Sequence, residues 1–257
     1  MPEPIPIINE IEEALSSGSE ERRNKLLVRV TDLFASGAGH FTEEHVRLFD
    51  GVFTHLIAEI HAAARAALAE RLAGIPNAPP AAIRSLAFDD AIQVASPVLM
   101  RSERLDNSTL VENASTKSQQ HLLAISRRRL IAETVTDVLV ERGNRDVALS
   151  TVRNAGAKFS ETGYVRLVTR STGDDELAQS VGSRPEIPRH HFLKLIKVAS
   201  NTVRLALEVA HPENVAEIRM VVASAANAIE AKTAAKLRDY AAARTLVESI
   251  RPSKPIR

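Results

Sequence analysis

Between about residue 95 and residue 200 the chain writes one short pattern four times. Each copy has a charged or small cluster, a lone apolar anchor, a turn or N-cap residue, and the start of an amphipathic helix. The copies are Arg101–Leu110, Arg127–Val135, Gly156–Tyr164 and Arg184–Phe192. Their anchors, Leu105, Leu130, Phe159 and Ile187, are 25, 29 and 28 residues apart. A period in this range marks stacked structural modules. A pair of short amphipathic helices cannot bury its apolar face alone, but it can do so against the next pair. Five residues past each anchor stand Leu110, Val135, Tyr164 and Phe192. Eight or nine past it stand Val138/Leu139, Leu167/Val168 and Leu195/Ile196, with Asn113/Ala114 the weakest match. The expected fold is all-α, an α-α superhelix.

Apolar residues elsewhere also follow a helical period, and strand-type alternation is missing. Leu26, Leu27, Val30, Leu33 and Phe34 form one stripe. Thr42 is the expected N-cap of the next helix, with Glu43 and Glu44 at its positive end. Val46, Phe49, Val52, Phe53, Leu56, Ile57 and Ile60 form its buried face, and the pattern runs on into Ala62–Ala73 as one long helix. The Gly74–Pro80 stretch is a break, because its prolines remove donors and restrict their neighbours. A short helix over Ala81–Ala87 follows, and Asp89 caps the next. Gly143-Asn144, Gly156, Gly173–Asp175 and Gly182 fall at expected joints. The division read from this pattern is a partly helical segment over 1–19, a solenoid over 20–210, a helical pair over 211–250 and a flexible tail over 251–257. The pair caps the stack or joins two copies in a homodimer. Its second helix, Ala228–Ile250, is rich in alanine and basic residues.

Composition narrows the function classes. The formal net charge is +1, so no global field steers the chain toward nucleic acid or membrane. Aromatics are 4% and Trp is absent, which suits close helix packing rather than an aromatic ligand cage. Without cysteine there is no disulfide, thiolate zinc site or thiol nucleophile. Met1–Pro6 has no basic stretch before an apolar run, and no apolar stretch reaches the length of a spanning helix. A cytoplasmic protein is expected.

Several segments follow one another in a familiar order. They are Ala64–Ala73, Pro80 through Leu86–Asp89, Pro97–Ser102 with Leu105, His121–Arg128, Val135–Gly143 and Arg153–Ala157. This order resembles the bacterial family catalogued as domain of unknown function 2336, over roughly residues 20–200. The resemblance implies a HEAT- or armadillo-like helical repeat and brings no catalytic residues with it. On this reading the C-terminal fifth fits less well, the family's usual C-terminal part being shortened or diverged.

No catalytic, cofactor or metal set assembles from sequence. His55 and Glu59 share a helix face but lack a third ligand, and His61 points elsewhere. His190 and His191 are adjacent, so a helix points them apart. Asp89-Asp90 and Asp174-Asp175 sit where caps are expected. The notable constellation is arginine: Arg127-Arg128-Arg129, with Arg101, Arg104, Arg153 and Arg184 near equivalent turns. In register these would form one ridge able to grip acidic peptides or phosphates through forked hydrogen bonds. The competing reading has them capping helix C-termini and pairing with Glu103, Glu133 and Glu141. Asn154 is a helix terminator or an inward grip on a peptide main chain. The candidate partner-binding residues are therefore Arg101, Arg127, Arg128, Arg153, Asn154 and Arg184. The expected function is a non-enzymatic scaffold for a protein partner, with nucleic-acid binding through the arginine ridge as the alternative.

Overall fold

A computed structural model of the chain describes residues 20–224 and 227. The expected helix over Ala228–Ile250, the first 19 residues and the tail lie outside the described residues. Those that are described are helical throughout, with turns between; no strand forms among them, and an isolated parallel bridge joins Ile131 to Ala157. None of their helices is long and apolar enough to cross a membrane. The fold is all-α, as expected. The chain divides into two compact units, Met1–Leu167 and Val168–Arg257.

The first unit holds α1 (Glu20–Gly37), α2 (Glu43–Glu59), α3 (Ala62–Leu72), α4 (Pro80–Ala87), α5 (Ile92–Arg101), α6 (Asn107–Thr116), α7 (Gln119–Ile125), α8 (Glu133–Arg142), α9 (Arg145–Arg153) and the start of α10 (Glu161–Arg170). Helices pack on the next but one: α1 on α3, α3 on α5, α5 on α7 and α7 on α9 in one layer, α2 on α4 and α6 on α8 in the other. That alternation is the α-α superhelix. Between the layers Phe34, Phe53, Leu56, Leu72, Leu86, Leu99, Leu122 and Leu139 are fully buried. Each contributes roughly 1.5–3 kcal/mol of burial.

Local chemistry sets the ends. Thr42 caps α2, its hydroxyl accepting from the His45 amide at 3.4 Å. Asp50 accepts from the Ala81 and Ala82 amides at 3.0 and 2.8 Å, placing a carboxylate on the N-terminus of α4. The expected long helix is interrupted at Ile60–His61, both of them in extended conformation. Arg65 accounts for the break: its Nη1 donates to the orphaned Ile60 carbonyl at 2.8 Å while its Nε holds Asp89 at 2.5 Å. Leu33, expected in the buried stripe, is 43% exposed; Leu26, Leu27, Val30 and Phe34 take the buried side.

The repeat register holds with one correction. Leu105 and Phe159 are buried anchors, and Leu110, Val135, Tyr164 and Phe192 are all buried five positions on. Leu130 is not an anchor: it is 65% exposed, and Ile131, 2% exposed, takes the place. The backbone decides this, because Ile131 donates to the Gly156 carbonyl at 3.0 Å and accepts from the Lys158 amide at 2.9 Å. Ile187 is half-buried. Asn113 and Ala114, the weakest match by sequence, are fully buried all the same.

Asn113 is tolerated there because it caps a helix one module back, its Nδ2 donating to the Ala87 carbonyl at 2.8 Å. The same move recurs. Arg128 reaches Leu99 and Ser102, Arg142 reaches Ala114, and Asn154 reaches Ser126 and Arg128, each bond landing 26 to 29 residues back on a main-chain carbonyl. A helix end leaves its last carbonyls without intrahelical partners. Here the following module supplies them.

The second unit takes the end of α10, α11 (Asp175–Gly182), α12 (Arg189–Val198), α13 (Asn201–Ala210) and a helical stretch over 215–224. Asp174 caps α11 through the Leu177 amide at 3.1 Å, after Gly173 takes a left-handed φ of 80°. Helix α11 packs on α12 and α13. His211 repeats the capping move on the Gly182 carbonyl, 29 residues back at 2.8 Å.

Candidate functional site

The residues Met100, Arg101, Glu103, Arg127, Arg128, Arg129 and Leu130 line a cleft of ≈ 550 Å³ in the first unit. Three of the six candidate residues, Arg101, Arg127 and Arg128, thus come together, joined by Arg129, which belongs to the same run of arginines. The floor is built by α5 ending at Arg101; the wall is the Ser126–Ala132 segment between α7 and α8.

That segment is fixed at several points. The Arg128 guanidinium turns inward, donating to the Leu99 carbonyl at 2.5 Å and the Ser102 carbonyl at 2.7 Å. Burial lowers its pKa from the ordinary arginine value, and Glu103 partly offsets this. From the other side, Asn154 Nδ2 donates to the Ser126 and Arg128 carbonyls at 2.9 and 2.6 Å, while its Oδ1 accepts from the Gly156 amide at 2.8 Å. Ser126 Oγ donates to Ser150 Oγ at 2.7 Å. Gly156 lies so close beneath that a Cβ there would sit 1.8 Å from the Arg129 carbonyl oxygen. The Ile131 bridge closes the segment.

What this scaffolding displays is Arg127, Arg129 and Leu130, all exposed. Among the described residues the Arg127 and Arg129 guanidiniums have no ion-pair or hydrogen-bond partner. Other arginines of this unit contrast with them: Arg65 pairs with Asp89, Arg84 with Glu112, Arg101 with Glu70, Arg104 with Glu43 and Arg166 with Glu141. Arg128 caps carbonyls, as the competing reading has it, and Arg101 is exposed but held by Glu70 at 2.7 Å. Asn154 grips a main chain, but it is the protein's own. Arg153 is exposed at the end of α9. Arg184, in the second unit, is 6% exposed and ion-paired with Glu186, so it offers no surface to a partner. Leu130, a core anchor by its sequence spacing, instead stands exposed in the lining of this cleft.

The remaining candidate chemistry resolves into structure. Asp89 serves Arg65 and the Ala91 amide, whereas Asp90 binds Lys117 at 2.6 Å, so the two carboxylates do not act as a dyad. His55 and Glu59 are both exposed on α2. His190 is exposed and His191 buried, but against expectation their side chains turn toward each other, with ring centroids 4.0 Å apart.

Stacked helix pairs capped module by module, carrying one rigidly mounted cationic loop, define a helical-repeat protein of the α-α superhelix class. Residues 94–254 match a family described as an uncharacterised protein conserved in bacteria (DUF2336), and the chain belongs to that family. The match corrects the extent expected from sequence: the C-terminal fifth lies almost wholly inside it, and residues before 94 lie outside it. No curated protein and no solved structure matches the chain.

Proposed function

We propose that this chain is a non-enzymatic helical-repeat scaffold of the cytoplasm, and that it binds a protein partner through the cleft at Arg101 and Arg127–Leu130. The observation that supports the reading is the Ser126–Ala132 segment. Its own polar groups are spent on holding it still, while two guanidiniums without a partner among the described residues and a large apolar side chain are exposed. Surface loops are ordinarily mobile, and a loop held in one conformation pays less entropy on binding. Arginine beside an exposed apolar residue is the composition of an interface centre.

Affinity capture from native bacterial lysate on the immobilised chain, followed by reconstitution with the purified captured protein, tests this. A stoichiometric complex with that protein is expected. Capture of nothing reproducible, or of a protein that fails to bind when purified, would end the scaffold reading.

The second reading, nucleic-acid binding, draws on four arginines lining one cleft. It requires retention on heparin or duplex DNA with steep salt dependence. Elution at low salt removes it. Light scattering of the purified chain reports whether it also forms a homodimer.

A further inference from the structure

Resting on the scaffold reading, we infer that the cleft takes an acidic peptide segment in which carboxylates flank one apolar side chain. The first support is charge. Four guanidiniums and a single carboxylate, Glu103, line the cleft. Two of the four, Arg101 and Arg128, are already engaged with Glu70 and with main-chain carbonyls. Arg127 and Arg129 remain, on either side of the inward-turned Arg128. Each presents a planar fork that matches a carboxylate.

The second support is Leu130. At 65% exposure it stands immediately beside Arg129, with Met100 half-buried in the same lining. A free phosphate or a duplex backbone has nothing to lay on this apolar ground, whereas a Leu, Ile, Met or Phe of a peptide does. The third support is the setting. Glu103 lines the cleft, Glu70 holds Arg101 at 2.7 Å, and the chain as a whole carries a net charge of only +1. A long polyphosphate track would run against those acids, but a short segment bearing two or three carboxylates need not.

The test is selection of displayed random twelve-residue peptides on the full chain, with enriched peptides resynthesised and their affinities measured by fluorescence anisotropy. Enriched ligands should carry Asp or Glu on both sides of one large apolar residue. They should lose at least tenfold in affinity against R127E/R129E and against the milder R127A/R129A, and several-fold against Leu130→Ser. Thermal melting checks that the variants are folded. Ligands without acids, ligands that bind R127A/R129A undiminished, or no enrichment at all would overturn the inference. If the partner captured from lysate still binds R127A/R129A, the scaffold reading stands and only the cleft assignment falls. Duplex DNA bound more tightly than any selected peptide, and lost in R127A/R129A, would overturn it in favour of nucleic acid.

Discussion

The side-chain amide nitrogen of Asn154 lies 2.6 Å from the main-chain carbonyl of Arg128, and the Arg128 guanidinium in turn lies 2.5 Å from the carbonyl of Leu99. Three successive modules are thereby tied through two side chains. Asn154→Ala removes donors from two carbonyls and the acceptor of the Gly156 amide. It should cost about 1–3 kcal/mol by chemical denaturation. Hydrogen exchange should rise at residues 127–131 before it rises in the cores of α5 and α8.

Gly156→Ala tests the close approach beneath the loop. The added Cβ would meet the Arg129 carbonyl at 1.8 Å, a backbone group that cannot swing aside as a side chain can. Overpacking of this kind costs about 1–3 kcal/mol. Peptide affinity at the cleft should fall with stability, although no contacting side chain has changed.

The three consecutive arginines should separate cleanly. Arg128→Ala leaves the Leu99 and Ser102 carbonyls without their donors and should lose about 1.5–3 kcal/mol, the range for hydrogen bonds from a charged group. Arg128→Lys should recover little, since one ammonium cannot span two carbonyls as a fork does. Arg127→Ala and Arg129→Ala should leave unfolding within about 0.5 kcal/mol of the parent, as surface changes do. Differential scanning calorimetry of the four variants decides the matter.

Asp106 supplies a pH dependence. Hydrogen bonds from Thr109, side chain and backbone, and from Ser108 hold its carboxyl below the ordinary aspartate value. A depressed folded-state value means that the cap stabilises fully above the ordinary aspartate range, and that this contribution is lost as pH falls through the lowered value. Asp106→Asn, which still accepts at the N-cap, should flatten the acid limb of stability against pH relative to the parent. An unchanged acid limb would show that the carboxylate contributes nothing there.

The helices were legible because burial repeats every three or four residues and because the caps obey local rules. Thr42 and Asp174 cap where their sequences place them. What escaped the sequence depends on partners far along the chain. Nothing near Ile60 announces that Arg65 will satisfy its carbonyl, so the α2–α3 break was invisible. Leu130 and Ile131 are equally apolar, and only the bridge to Gly156 and Lys158 decides which one turns inward. The arginine run was conspicuous, but its division into one buried staple and two displayed cations required the carbonyls of Leu99 and Ser102. Arg184 looked equivalent by spacing and is instead consumed by Glu186, two residues away.

Asn113, Arg128, Arg142 and Asn154 each complete a helix end laid down one module earlier. The first unit therefore has a polarity that its helical pattern alone does not reveal. Amputation from the C-terminal side wounds the survivor, stripping finished carbonyls back to raw ones, so fragments ending after α5 or α7 should be less durable than their apolar cores suggest. Amputation from the N-terminal side spares these four seams in the piece that remains, and takes instead the forward contacts, such as Asp50 on the Ala81 and Ala82 amides and Gln119 on the Arg142 carbonyl.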